Sequence, residues 1–480
     1  MKRFRIGRLV VWLALANLLC SAPVYHAQGE LAGEIGPTSV LLQSRLTALP
    51  GPELTPDGDI PGAAGTAAFE WSEQADFTDA KRTAWLTATP ENDYIIRTTL
   101  EGLSPGRRYY YRLQLGTPES PGRHGPTRSF KTLAPLDGAT PVSFCMGNCM
   151  HYSAFMSGIA NGDGPVTATE EDKRLGYRVF AAMRMLRPDF FICAGDAVYY
   201  DFPKAHPAKT LPELRQKWHE QFRFPRLIEF FSDCPTYWAK DDHDFRFDDA
   251  DREGDEAPTA KTGEDLFREQ LPLMPQGDKD TPTYRTVRIH PRVQLWFLEG
   301  RDYRSPNTLP DGPAKSIWGA QQKAWLEKTL RESHATWKLL ISPTPMVGPD
   351  RKSKNDNHTN PRGFRHEADA FFAWLKQERI ENVIILSGDR HWQYHSIHPS
   401  GVEEFSVGAL NDENSILGEY PGQPTSTDPQ GKIIQPYHYK EPTGGFLHVE
   451  IATKAHDQDI LRLYFRDDNG NLLYQIEKTP

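Results

Sequence analysis

Short apolar runs separated by polar turns occupy the first third of the chain, and from about residue 141 the spacing changes. Ser39–Leu42, Thr83–Leu86, Tyr94–Thr98 and Tyr109–Leu115 are strand-length stretches between Gly/Pro turns such as Gly102-Leu103-Ser104-Pro105-Gly106. That pattern predicts a small β-sandwich over residues 29–135. Leu133–Thr140 reads as a linker. Beyond Pro141, strand-like and helix-like periods alternate, the mark of an α/β domain over 141–480. Strands are expected at Val142–Met146, Phe190–Cys193, Thr236–Ala239, Val293–Leu298, Trp337–Ile341 and Asn382–Leu386. Helices are expected at Glu171–Leu186, Trp318–Ser333 and Phe364–Gln377. The chain closes with strands at Gly445–Ile451, Asp459–Phe465 and Leu472–Ile476, the last two joined by the turn Asp468-Asn469-Gly470.

Four of the central strands run into loops rich in ligand side chains. They are Gly147-Asn148-Cys149, Gly195-Asp196-Ala197-Val198-Tyr199, Asp241-Asp242-His243-Asp244 and Gly388-Asp389-Arg390-His391. Ligands of open α/β sheets sit beyond the carboxyl ends of strands, so this recurrence points to one shared site. Asp196 alone reads as a turn aspartate; beside the other loops it reads as a carboxylate able to bridge two cations. Tyr199 is a hard oxygen donor suited to a trivalent ion, or a packing tyrosine. Cys149 is a soft ligand for a transition metal, a disulfide half, or a buried small residue. Three carboxylates crowd His243, which is costly without cations. His243 is the best candidate to protonate a leaving-group oxygen. Asp389 and His391 supply one oxygen and one nitrogen donor from a single loop. Arg390, Arg246 and Arg301 are candidate phosphate clamps, because a guanidinium binds phosphate oxygens in bidentate fashion. Asp356-Asn357-His358 precedes a helix near these loops and has no role assigned from sequence.

Composition narrows the classes. Hydrophobic residues make up 38% and charged residues 25%, ordinary for a globular protein with a real core. The formal charge is −9, and −13 once Met1–Gln28, with four basic residues and no acid, is set aside. An acidic body argues against a nucleic-acid footprint and for bound cations at any phosphate site. Residues 1–28 read as an export signal: basic residues open the short apolar run Leu9–Leu19 and small residues follow. A periplasmic or extracellular location follows. Cys20 is a weak lipid-anchor signal. The other cysteines, Cys145, Cys149, Cys193 and Cys234, could form two disulfides in an oxidising compartment.

In this order the loops resemble the PhoD-type alkaline phosphatases, a branch of the calcineurin-like metallophosphoesterase superfamily. Gly102–Gly106 with Tyr109-Tyr110-Tyr111, Glu299–Arg304 and Gly319–Leu326 carry the resemblance further, across nearly all of the chain after residue 28. It implies a fibronectin-like β-sandwich followed by a four-layer α/β/β/α metallophosphatase domain. It also implies release of phosphate from small-molecule phosphomonoesters with Fe3+ and Ca2+ as cofactors, other divalent metals being compatible. By motif position Cys149, Tyr199, Asp196 and His391 would surround the iron. Asp196 and Asp389 would hold the calcium side, with Asp242 where the superfamily places a metal-binding asparagine. Asn148, Asp248 and Glu299 depart from the family pattern. The strand-rich C-terminus lacks an obvious capping helix, which suits larger diesters or phospholipids as an alternative. A secreted binding protein with a degenerate catalytic domain is the alternative from another class.

Overall fold

The computed structural model describes residues 23–479 other than 137, 139, 160–165, 274–280 and 455–457. Most of the predicted export segment, including Cys20, lies outside the described residues. Its last residues are built into the fold: Tyr25 and Thr47 exchange two backbone hydrogen bonds of 2.8 Å, and Ala27 is buried.

Two sheets face each other across the central core. One has nine strands in the order 472–478, 458–467, 445–454, 142–147, 190–193, 236–238, 30–33, 40–45 and 95–100. The other has seven, in the order 285–290, 293–297, 337–342, 383–387, 403–407, 393–397 and 434–438. Strand alternation explains the layers. Phe144, Met146, Phe190, Ile192, Leu295, Phe297, Leu339, Ile341 and Leu386 point between the sheets. Their neighbours Cys145, Phe191, Cys193 and Trp238 point the other way, under the helices Arg178–Leu186, Leu211–Phe222 and Pro225–Phe231. On the far side Trp296, Leu340 and Ile385 pack under Gly319–Glu332 and Arg365–Gln377. Helix, sheet, sheet, helix: this is the expected four-layer α/β/β/α domain.

The N-terminal sandwich shares a sheet with that domain. Its strands Glu30–Gly33, Val40–Arg45 and Ile95–Leu100 extend the nine-stranded sheet, through the parallel pairing of Gly33 with Thr236. A six-stranded sheet around Gly65–Ser72 and Arg108–Gly116 forms the second face.

Three expectations change. The helix expected over Glu171–Leu186 is two helices, Glu170–Leu175 and Arg178–Leu186. Gly176 breaks it at φ +93°, where a Cβ would sit 2.5 Å from Cβ of Phe224, so the helix Pro225–Phe231 and its cap occupy the space a continuous helix needs. The stretch Thr83–Leu86 is not one strand but the gap between Lys81–Arg82 and Leu86–Ala88, both pairing with Gly65–Ser72. Cys145, Cys149, Cys193 and Cys234 are all buried free thiols, so the two disulfides that the count allowed are not formed.

Candidate metal centre

Parallel strands from both sheets deliver their carboxyl ends to one pole. From the nine-stranded sheet come the loops after 142–147, 190–193 and 236–238. From the seven-stranded sheet come those after 293–297, 337–342, 383–387 and 403–407. The turns are sharp. Cys149, Asp196 and Asp389 all adopt left-handed backbone, at φ +57°, +56° and +63°. For residues with a side chain this is uncommon and clusters at functional sites. Gly195, at φ +121°, lets the Asp241 loop close in, since a Cβ there would lie 2.6 Å from Cβ of Asp241. Gly388 is wedged between the carbonyls of Ala194 and Pro343, 2.8 and 2.9 Å from where its Cβ would be.

On one side of the pole, Cys149, Asp196 and His391 present ligand atoms within 4.8 Å of one another. Cys149 Sγ is 3.2 Å from Asp196 Oδ2, and Tyr199 Oη is 3.4 Å from the same oxygen. The Tyr199 ring is stacked on two imidazoles, His151 at 4.2 Å between centroids and His243 at 4.1 Å. Asn148, the departure from the family pattern, ties these loops together. In the orientation that satisfies both ends of its amide, it accepts from the Asp389 N–H at 2.8 Å and donates to the Gly408 carbonyl at 2.5 Å.

On the other side, Asp241, Asp242 and Asp389 form a second group within 4.8 Å. Asp196, Asp242 and His243 form a third that links the two. Arg301 lies beside them, fully enclosed. It donates from Nε to Asp241 Oδ1 at 2.7 Å and from Nη1 to the Ala250 carbonyl at 2.9 Å. Its Nη2 lies 2.6 Å from Asp241 Oδ1, 3.8 Å from Asp242 and 3.7 Å from Asp356. Among the described residues, one oxygen each of Asp241, Asp242 and Asp356 is buried without a hydrogen-bond partner, while the corresponding oxygen of Asp389 faces Arg390. Such orphaned carboxylate oxygens are rare in a folded interior and are what a hard cation satisfies. The donor set therefore fits metal binding on both sides: sulfur, phenol and imidazole on one, carboxylates alone on the other.

The protonation tendencies follow from the same crowding. Burial pushes the Cys149 thiol well above its usual value, and Asp196 adds to it. Tyr199 rises through burial and the proximity of Cys149 and Asp196. Burial and the Asp242 charge push Asp196 well up, and burial outweighs Arg390 to bring Asp389 to about 6. Burial, Arg390 and His243 hold His391 well below its usual value, as the neutral imidazole that ligates metal. Burial alone would lower His243, but Asp242, Asp196 and Asp201 outweigh it and hold its pKa well above normal. Its Nδ1 is engaged by Asp201 Oδ1 at 2.7 Å, and its backbone N–H donates to Asp196 Oδ1 at 3.3 Å.

Of the residues singled out from sequence, the structure gathers Cys149, Asp196, Tyr199, Asp242, His243, Asp389, Arg390 and His391 at this pole. Arg390 is buried between Asp350, at 2.9 Å, and Asp389, with its Nε lacking a hydrogen-bond partner among the described residues. Arg246 does not fit the phosphate-clamp expectation. Its five N–H groups go to the carbonyls of Asp251, Glu253, Gly254, Glu256 and Pro258, so it anchors that loop. Arg301 is likewise a counter-charge for carboxylates, with no exposed surface to offer a substrate. Glu299 sits behind it, accepting from the N–H of Arg301 and the hydroxyl of Thr283. Asp248 is on the rim, 3.4 Å from Lys354.

Sequence reasoning missed Asp241 as a member of the carboxylate group, Asp201 as the partner of His243, and Asn414. The Asp356-Asn357-His358 segment was visible but unplaced: Asp356 joins the site, whereas His358 turns away to Glu367 at 2.9 Å.

The model of the PhoD-like phosphatase family matches residues 155–455, and that of the PhoD-like phosphatase N-terminal domain matches 22–133. Alkaline phosphatase D of Bacillus subtilis (strain 168) is 22% identical over 416 residues, covering 77% of this chain and 64% of that protein. The chain thus spans just under two thirds of this relative's length. The solved structure of PhoD superposes with a TM-score of 0.70 at 17% identity, over 96% of this chain and 90% of the other. Purple acid phosphatase PPD1 from yellow lupin (Lupinus luteus) seeds follows at 0.61 and 13%, over 94% and 74%. Both share the fold described above.

Proposed function

Because the chain belongs to the PhoD-like phosphatase family, we propose that it hydrolyses small-molecule phosphomonoesters as an exported, cation-dependent enzyme. One observation carries the reading: a sulfur, a phenol, a neutral imidazole and several carboxylates converge from separate strand ends on one pole, with buried carboxylate oxygens left unpaired. By donor type, Cys149, Asp196, Tyr199 and His391 suit a transition ion, ferric iron in the family resemblance. Asp242 and Asp389, with Asp196 between, suit a hard ion such as calcium. Cations held there would neutralise phosphoryl oxygens and lower the pKa of a bound water toward ~7.

The chain's own groups supply the rest. His243 has its Nδ1 fixed on Asp201. That leaves Nε2 to donate a proton to the departing alkoxide. Arg390 adds a buried positive charge whose Nε has no hydrogen-bond partner among the described residues, directed by Asp350 and Asp389. Lys354 and Asp248 lie on the rim.

The test is metal content and turnover of p-nitrophenyl phosphate in the purified protein and in Asp196→Asn. The expected result is bound metal in the wild type, and loss of both metal and turnover in the variant. Activity that survives complete metal loss would sink the proposal. Turnover of bis-p-nitrophenyl phosphate above that of the monoester would reassign the substrate class to diesters.

For export, the supporting feature is the basic-then-apolar segment Lys2–Leu19. Among the described residues no helix is long and apolar enough to cross a membrane. Cell fractionation decides it: the protein in the cytoplasmic fraction, with residues 1–20 still attached, would refute export.

A further inference from the structure

The strand Glu403–Val407 ends in a segment, 408–416, that contains none of the motifs noted above, yet it covers the Cys149 side of the metal centre. Ala409 bridges to Asn148, and the Leu410 N–H donates to the Asn148 carbonyl at 3.0 Å. The turn Asp412–Asn414 is anchored at both flanks. Asp412 accepts from the Gly444 N–H at 2.6 Å, and Glu413 accepts from Thr167 at 2.5 Å and from Asn411 at 2.8 Å. The segment is then stitched to the His391 loop. Ile416 N–H donates to the His391 carbonyl at 3.1 Å, and the Tyr439 hydroxyl lies 3.0 Å from the same oxygen.

This scaffolding holds Asn414, 7% exposed, with its side-chain Nδ2 3.0 Å from Tyr199 Oη and 3.5 Å from His391 Nε2. It contacts two donors of one cation from a third loop. Resting on the function proposed above, we propose that Asn414 is a positioning residue of the metal centre. Its amide donates a hydrogen bond to the Tyr199 phenolic oxygen and sets how strongly that oxygen gives electrons to the cation.

The chemistry is direct. An amide NH2 is a donor only, so the oxygen facing it serves as an acceptor. A phenolate accepts such a bond more strongly than a phenol. The Tyr199 ring has little room to turn, clamped between the His151 and His243 rings. With the ring fixed, removal of the donor changes the electronics of the oxygen more than its place. Groups of this kind, one step behind a ligand, typically carry 10–100-fold in metal affinity or activity.

The experiment uses full-length protein stripped of metal and reconstituted with Fe3+. A hydrogen bond stabilises the phenolate electrons, so its loss lowers the energy needed to move one to iron. Asn414→Leu, close in volume and without a donor, is expected to move the tyrosinate-to-iron absorption band to longer wavelength at full iron content. The tyrosinate C–O vibration, read by resonance Raman in H2O and D2O, is expected to shift with solvent in the wild type and not in Asn414→Leu. An unmoved band in Asn414→Leu, or a solvent-insensitive vibration in the wild type, overturns the role of Asn414. The wild-type measurement decides even if the leucine variant fails to fold. Iron bound in the wild type with no tyrosinate band overturns the assignment of Tyr199 as a ligand, and with it this proposal. Turnover without any metal would strike the function alone.

Discussion

Arg301 is the residue whose removal reads most directly on the electrostatics of the pole. It is fully enclosed and its guanidinium faces Asp241, Asp242 and Asp356. At an effective dielectric near 20, a unit pair 2.6 Å apart attracts by about 6 kcal/mol. Burying the two charges takes back several kcal/mol. Removing one partner of such a buried pair typically costs about 3–5 kcal/mol, because the other charge stays behind. Arg301→Met keeps most of the volume and removes the charge. In chelator, the variant is expected to lose about 3–5 kcal/mol. At about 2.1 cal/mol/K of unfolding entropy per residue, a domain as large as 141–480 shifts by roughly 1.4 °C per kcal/mol, so the drop in the melting midpoint is about 4–7 °C. Cations that bind the carboxylates supply the missing positive charge, so saturating metal should recover a large part of the loss. Differential scanning calorimetry of wild type and variant, with chelator and with metal, measures both. Equal midpoints in chelator, or a loss that metal does not reduce, would refute the assignment. A pure rise in KM with unchanged stability would instead restore Arg301 as a phosphate clamp.

Two further outcomes follow from the same reasoning. His243→Gln is expected to lower kcat about 10²–10⁴-fold for alkyl phosphates, within the usual range for a lost general acid, and much less for p-nitrophenyl phosphate, whose leaving group needs no proton; equal losses for both would count against His243 as the acid. Asp468, in the hairpin between Gln458–Asp467 and Leu472–Lys478, is pushed to about 7 by burial and then by Asp412. A raised carboxyl pKa in the fold means its contribution is complete below the ordinary 3.8 and is lost as pH rises through about 7. Melts from pH 4 to 8 should therefore fall more steeply in the wild type than in Asp468→Asn, and identical slopes would contradict this.

Local pattern alone settled more of the fold than of the site. The short, nearly continuous apolar runs Phe190–Cys193 and Trp337–Ile341 already say strand with two buried faces, because each face meets its own apolar layer. The ligand loops were legible for a related reason: a charged or sulfur-bearing cluster directly after a buried strand has few structural uses. The helix expected through Gly176 failed because its end is decided by Phe224, almost fifty positions away. Arg246 and Arg301 could not be assigned from their neighbours in sequence, since a guanidinium among acids looks the same whether it meets phosphate, carboxylate or carbonyl oxygens. Asn414 carried no signal at all, being an ordinary polar residue in a turn.

By itself the sequence determined the layered α/β architecture, the strand ends that carry donors, and the chemical types of those donors. Each depends on contacts a few residues apart or on the side chain's own chemistry. Only the tertiary structure decided which carboxylates share a cation pocket, which arginines are spent on balancing them, that His243 is braced by Asp201, and that a loop from 408–416 reaches Tyr199. Those depend on distances between strands brought together by two sheets. Electrostatic and hydrogen-bond energies change steeply over a few ångströms, a scale that linear order does not encode.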